Sequence, residues 1–284
     1  MDLIITGLLL GGIYALIAMG LQLQYGVARI MNLANGEFLV AGAFGTFWFY
    51  TSARLSPFLS IVFVSPLAFV LNWAIYRYLM QPLVSRAKSH GQLDVDNILA
   101  TFGLSFIMVG IMLAVFGGEY FSYSYLERPY TILGQPYGLN RIAAFLMSAA
   151  IGLALYIWLN RTRTGLSLRA VAVNPMSAGL VGINVPRAFA LGGAVTAAGG
   201  ASISAFLTTD ASIGIIFTLK ALIIVIMGGV AEIRGAIVAA FIRGLAETAV
   251  ASLIDPGLTL AAAYLLFIIV LLLKPEGLFG RRAS

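Results

Sequence analysis

Apolar residues run through this chain in blocks close to the ~20 residues that span a hydrocarbon core as helix. They do not show the apolar–polar alternation of a membrane β-strand. The stretches 98–116 and 256–273 contain no charged residue. The pattern predicts spans at 3–22, 33–51, 57–79, 98–116, 141–159, 188–207, 217–230, 236–254 and 256–273. Polar residues interrupt the pair over 217–254, so one of those two is expected to be broken or re-entrant. The expected fold is therefore an all-α integral membrane protein. It is a polytopic bundle of eight or nine transmembrane helices forming one transmembrane domain over 1–284.

Composition agrees with that pattern. Of 284 residues, 61% are hydrophobic and 10% charged, against about 25% charged in a soluble domain. A chain this poor in charge could not cover its own surface in water. The 31 glycines suit helices whose backbones approach closely in a membrane. The first apolar run begins at Leu3 with no basic residue ahead of it, which predicts a retained span and no cleavable leader. No loop is long enough to bury a core of its own.

The charges sort by side once the spans alternate. One side receives Arg29, Arg77, Arg86, Lys88, Arg161, Arg163, Arg169, Arg187, Arg234, Lys274, Arg281 and Arg282. The other receives Arg54, Arg128 and Arg141. The positive-inside rule assigns the first set to the cytoplasm, with the C-terminus inside and the N-terminus outside. The net charge of +6 is then a property of cytoplasmic loops and not a footprint for nucleic acid. The outer loop 117–140 carries Tyr120, Phe121, Tyr123, Tyr125, Tyr130 and Tyr137. These read as an interfacial aromatic girdle or as a docking surface for an external protein.

Several chemistries lack their residues. With no cysteine and one histidine, neither a disulfide framework nor a zinc site of the metalloprotease kind is expected. None of the three lysines, Lys88, Lys220 and Lys274, follows a phosphate-cradling glycine loop. The chain is expected to be no enzyme and to hold no cofactor or metal of its own.

Four constellations remain. Asn32, Asn35 and Glu37 enter the second span from the cytoplasmic side, with Asn32 or Asn35 as helix cap and Glu37 in the first turn. They read as a capped helix start or as a polar element lining a pathway. In the sixth span, three of four i, i+4 rows are small, including the row Gly192, Thr196, Gly200, Ser204. Such a helix is buried in the bundle or faces a cavity. The cytoplasmic stretch 164–187 carries Arg169, and Asn174-Pro175 reads as N-cap and N1 of a short helix running through Met176, Ala178 and Leu180. Gly182 is its C′ residue. A rigid helix there could transmit force from a soluble partner; the alternative is a plain interfacial amphipathic helix. Finally, Arg243 and Glu247 are spaced to pair on one helix face.

The order of features resembles the permease subunit of branched-chain amino acid ABC transporters, the LivH type. The matching pieces are Gly11-Gly12-Ile13-Tyr14-Ala15-Leu16, Asn32 to Glu37, and Arg169-Ala170 with Gly182-Ile183-Asn184. Lys220-Ala221, Gly228-Gly229, Gly235-Ala236, Glu247 and the tail Pro275 to Gly280 complete them. The resemblance implies a bacterial inner-membrane importer. A second related permease, two cytoplasmic ATPases carrying ATP and Mg, and a periplasmic substrate-binding protein would complete it, within membrane lipid. It further implies that the ATPases dock on the 164–187 segment. Members carry leucine-type amino acids, urea, short amides or aromatic acids. This chain departs from the family at Asn35, where histidine is frequent, and at Ala231, Glu232 and Arg234. The competing reading is an ion-coupled secondary transporter, which would need acidic or broken-helix sites near mid-membrane.

Overall fold

The computed structural model describes residues 2–86, 90–123, 125–132, 135–173 and 184–280. Its helices are α1 (Asp2–Ala28), α2 (Asn35–Ala53), α3 (Pro57–Ile75), α4 (Gln81–Arg86), α5 (His90–Phe116), α6 (Leu139–Arg161), α7 (Arg163–Val173), α8 (Val185–Ile203), α9 (Gly214–Gly228), α10 (Ile233–Leu253) and α11 (Thr259–Leu273). A π-helical stretch, Tyr76–Met80, joins α3 to α4 as one rod. The nine predicted spans correspond to α1, α2, α3 with α4, α5, α6, α8, α9, α10 and α11. Among the described residues, six helices are long and apolar enough to cross a membrane: Leu3–Ala28, Pro57–Arg86, Gly91–Phe116, Leu139–Arg161, Ile233–Leu253 and Pro256–Leu273.

The spans with the weakest apolar signal, α2 and α8, lie inside the bundle. Every residue of α8 from Ala188 to Ile203 except Leu191 is buried. A helix shielded from lipid has no need of large apolar side chains, and small ones let its neighbours touch it. Gly200 packs on α2 so closely that a Cβ there would lie 1.9 Å from the Leu39 carbonyl oxygen. The outer helices show the opposite pattern. Leu67 and Val70 on α3, Phe106 and Ile107 on α5, and Leu265 and Leu272 on α11 are all exposed. Those faces are apolar because they meet lipid.

The aromatic loop is only partly a girdle. Tyr120 and Tyr130 are exposed. Phe121 and Tyr123 turn inward, where Phe121 packs on Phe44 and Phe47, and Tyr123 stacks on Tyr50 at 4.6 Å. Phe121 and Thr209 exchange backbone hydrogen bonds of 2.9 Å, clamping the α8–α9 connection. Burial pushes the Tyr123 phenol up to about 12, so it stays neutral beside the Ser204 hydroxyl. A hairpin follows, β1 (Pro129–Ile132) antiparallel to β2 (Gln135–Gly138), which the span pattern did not predict.

The central packing makes a direct prediction. Gly200→Ala should destabilise the purified protein by roughly 1–3 kcal/mol, the usual range for overpacking. Gly110 has nothing within 4 Å of the position a Cβ would take. Gly110→Ala should change stability by no more than about 1 kcal/mol, and in the favourable direction. Thermal unfolding in detergent compares them; equal midpoints would refute the close contact.

Candidate functional site: polar groups inside the bundle

The helical pattern breaks between α1 and α2, and in the 217–254 pair α9 is the short element, 15 residues beginning at Gly214 against Gly36 and Glu37. Arg29 ends α1 in the left-handed conformation, with φ 55°. Residues 30–34 then climb back into the bundle. The Thr196 hydroxyl donates to Asn35 Oδ1 at 3.0 Å. Thr196 lies about 16 Å along α8 from Val185 at 1.5 Å per residue. Asn35 and Glu37 therefore sit near mid-bilayer, not at the cytoplasmic rim where the sequence places them. The cause is that α2 starts inside the bundle, so "first turn" and "membrane edge" are different places.

A non-helical backbone at that depth needs partners within the protein. Asn32 Oδ1 accepts from the Ala34 N–H at 3.0 Å, and Thr218 Oγ1 on α9 accepts from the Gly36 N–H at 2.8 Å. Asn32 Nδ2 donates to Gln24 Oε1 at 3.0 Å, and Gln24 Nε2 donates to Asn72 Oδ1 at 3.4 Å. Asn32 thus stabilises the turn ahead of the helix, while the residue preceding α2, Ala34, supplies no side-chain cap. Gly36 is required by contact, because a Cβ there would stand 1.9 Å from the Gly214 carbonyl oxygen.

Glu37 is fully buried. The expected backbone N–H partners do not hold its carboxyl group. Ser105 on α5 donates to Oε1 at 3.0 Å, and Oε2 has no hydrogen-bond partner among the described residues. Asn35 Nδ2 is likewise without one. A donor and an acceptor thus stand unfilled at mid-depth in the packed core. Gly192, Thr196 and Gly200 are contact points in this core. Gly192 and Thr196 meet Gly20 of α1, and Gly200 meets α2.

A second group lies at the same depth. The expected pair Arg243–Glu247 is present, with Nε and Oε2 3.6 Å apart. Lys220 on α9 is the closer partner, with Nζ 2.8 Å from Glu247 Oε1. Tyr14 on α1 completes the group, accepting from Lys220 Nζ at 2.7 Å and donating to Glu247 Oε1 at 3.1 Å. Lys220 was missed as a partner, although a lysine inside an apolar run is itself the signal that a carboxylate must be near.

On the basic side, Arg169 is exposed on α7 and its Nη1 donates to Asn160 Oδ1 at 2.5 Å. The predicted helix 174–181, with Asn174, Pro175, Met176, Ala178 and Leu180, lies outside the described residues, as does Gly182. Asn184 caps α8 by accepting from the Arg187 N–H, and Pro186 stands in the first turn.

The charged group also predicts a stability effect. Glu247→Ala leaves the buried Arg243 and the half-buried Lys220 with no anion beside them, and should cost roughly 3–5 kcal/mol. The pair Lys220→Met with Glu247→Gln removes one charge of each sign and should cost clearly less. Thermal unfolding of the two variants settles the order, and the reverse order would refute the pairing.

Comparison with known proteins places the chain among transporters. The family described as "Branched-chain amino acid transport system / permease component" matches residues 3–273. The high-affinity branched-chain amino acid transport system permease protein LivH of Escherichia coli K12 is 25% identical, over 97% of this chain and 94% of its own length. LivH of Salmonella typhimurium is 24% identical over the same shares. BraD of Pseudomonas aeruginosa is 25% identical over 98% of this chain and 95% of its own. Among solved structures, PsaBC from Streptococcus pneumoniae in complex with Fab contains a chain that shares the fold. Its TM-score is 0.55 at 12% identity, covering 98% of this chain and 94% of that one.

Proposed function

This chain belongs to the family of branched-chain amino acid transport permease components, and from that we propose that it is the membrane-spanning subunit of an ABC importer for branched-chain amino acids. In this reading it pairs with a second, related permease in a bacterial inner membrane. Two separate ATPase subunits bind the face carrying Arg169, Arg161 and Arg163. A binding protein delivers substrate on the opposite face. The observation that carries the reading is the family match along the whole bundle, from the start of α1 to the end of α11. The absence of any phosphate-cradling loop in the sequence agrees with ATP hydrolysis on other subunits.

The exposed arginine at the start of the 164–187 stretch is where the ATPases should be felt. Arg169→Glu should either lower co-purification of the ATPase subunits several-fold or leave them bound while uptake falls and ATP hydrolysis persists. Pull-down from solubilised membranes, with radiolabelled leucine uptake in parallel, reads both. Normal hydrolysis, assembly and uptake together would refute the electrostatic coupling.

One observation favours a second reading. Glu37 is a buried mid-membrane carboxyl group with no ion-pair partner among the described residues, as an ion-coupled transporter would need. Under the ABC reading its role is structural. Glu37→Gln, which keeps the acceptor for Ser105, should then reduce uptake only partly, and Glu37→Leu should reduce it more. Uptake abolished by Gln in a complex that still assembles and hydrolyses ATP would favour ion coupling instead.

A further inference from the structure

The group of Tyr14, Lys220, Arg243 and Glu247 holds two cations and one anion, and its location makes that imbalance informative. Arg243 lies about 15 Å from either end of α10, and Lys220 about 9 and 12 Å from the ends of α9. The group is therefore near mid-bilayer, out of reach of lipid headgroups. Arg243 is 1% exposed, yet its Nη2 has no hydrogen-bond partner among the described residues, while Nη1 donates to the Lys220 carbonyl oxygen at 3.2 Å. Buried charges are expensive unless they are paired, so a net positive group at this depth calls for an anion from outside the chain.

The group is reachable from the side of Lys220, whose side chain is 14% exposed. Lys220 and Arg243 line a crevice of about 40 Å³ between α9, α10 and α11. Its rim is formed by Ile216, Leu219, Leu260 and Tyr264, and all four are exposed. A water molecule occupies about 30 Å³ of liquid, so the crevice accepts a carboxylate but not a whole amino acid. The rest of such a molecule would lie on the apolar rim, which suits an aliphatic side chain. A second copy of this chain has no suitable acid to offer. Of its eleven acidic residues, Glu37 is fully buried in its own bundle and Glu247 is already held by its own Lys220. Glu37 is buried against the face of α9 carrying Gly214 and Thr218, about 200° around the helix from Lys220.

We propose that Lys220 and Arg243 form a carboxylate-binding half-site that receives the carboxylate of an aliphatic amino acid in transit. The apolar rim of α9 and α11 receives its side chain, and the facing permease closes the site. The inference rests on the amino acid permease reading.

The test uses the assembled transporter in lipid nanodiscs without its binding protein. Three ligands are titrated: L-leucine, 4-methylpentanoate, which keeps the carboxylate, and 3-methylbutylamine, which lacks it. In the wild type, leucine and 4-methylpentanoate should bind at least tenfold more tightly than the amine. Lys220→Gln should weaken both carboxylates at least tenfold and leave the amine unchanged, and Lys220→Arg should restore leucine to within about threefold. If the wild type binds the amine as tightly as leucine, the proposal fails without reference to any variant. If Lys220→Gln binds leucine like the wild type, the half-site is wrong while the transport reading stands. Loss of assembly in Lys220→Gln, with leucine bound normally by the fraction that remains intact, assigns the anion to the partner permease and also overturns the proposal. If the wild type binds no leucine at all, the amino acid reading itself has failed, and the half-site falls with it.

Discussion

Hydrocarbon offers no hydrogen-bond partner to an amide, so every turn of chain that leaves the helical conformation at depth must be enclosed by protein. The passage from Arg29 to Asn35 is such a turn. Its N–H groups at Ala34 and Gly36 are met by Asn32 and Thr218. That single requirement recruits α9 to supply Thr218, and α1 and α3 to supply Gln24 and Asn72. It also demands an inner helix thin enough for α2 to start against it, which is what the small rows of α8 provide.

From this follows the radial order of the bundle. α8 tolerates threonine, serine and many glycines because it does not face lipid. The lipid-facing helices need none of that and are built from leucine, isoleucine, valine and phenylalanine. A hydropathy profile therefore inverts the importance of two inner helices, α2 and α8, while α1 is both strongly apolar and largely buried. The least apolar spans, α2 and α8, lie with α1 at the centre of the bundle, and neither is among the six long apolar spans found among the described residues.

This inversion explains what could be read from the chain directly. The number and order of spans were legible, because length and apolar content suffice. The interior placement of α8 was legible from small residues recurring at i, i+4. The depth of Asn35 and Glu37 was not, because nothing local distinguishes a helix that starts at the membrane surface from one that starts halfway through it. That distinction rests on Thr196 and Thr218, about 160 and 180 residues away. The Arg243–Glu247 pair was visible through its spacing. Its partners Lys220 and Tyr14 belong to other helices, and no periodicity links them. The hairpin 129–138 escaped because short strands in an outer loop carry no membrane pattern.

The two polar groups are joined by one element. On α9, Gly214 and Thr218 face α2, whereas Lys220 points to α1 and α10. Both faces rely on polar contacts with short reach, and hydrogen bonds weaken steeply once stretched or bent. A rotation of α9 large enough to break the Thr218 contact with Gly36 would also carry Lys220 away from Tyr14 and Glu247. The helix is held at its other end by backbone contact, because Leu278 and Phe279 donate to the Met227 and Gly228 carbonyl oxygens at 2.8 and 3.1 Å. Its C-terminal end is thereby tied to the tail on the basic side, while its N-terminal end opens inside the bundle. α9 thus links three places that a sequence profile treats as unrelated: the re-entrant turn, the mid-membrane charges and the basic surface.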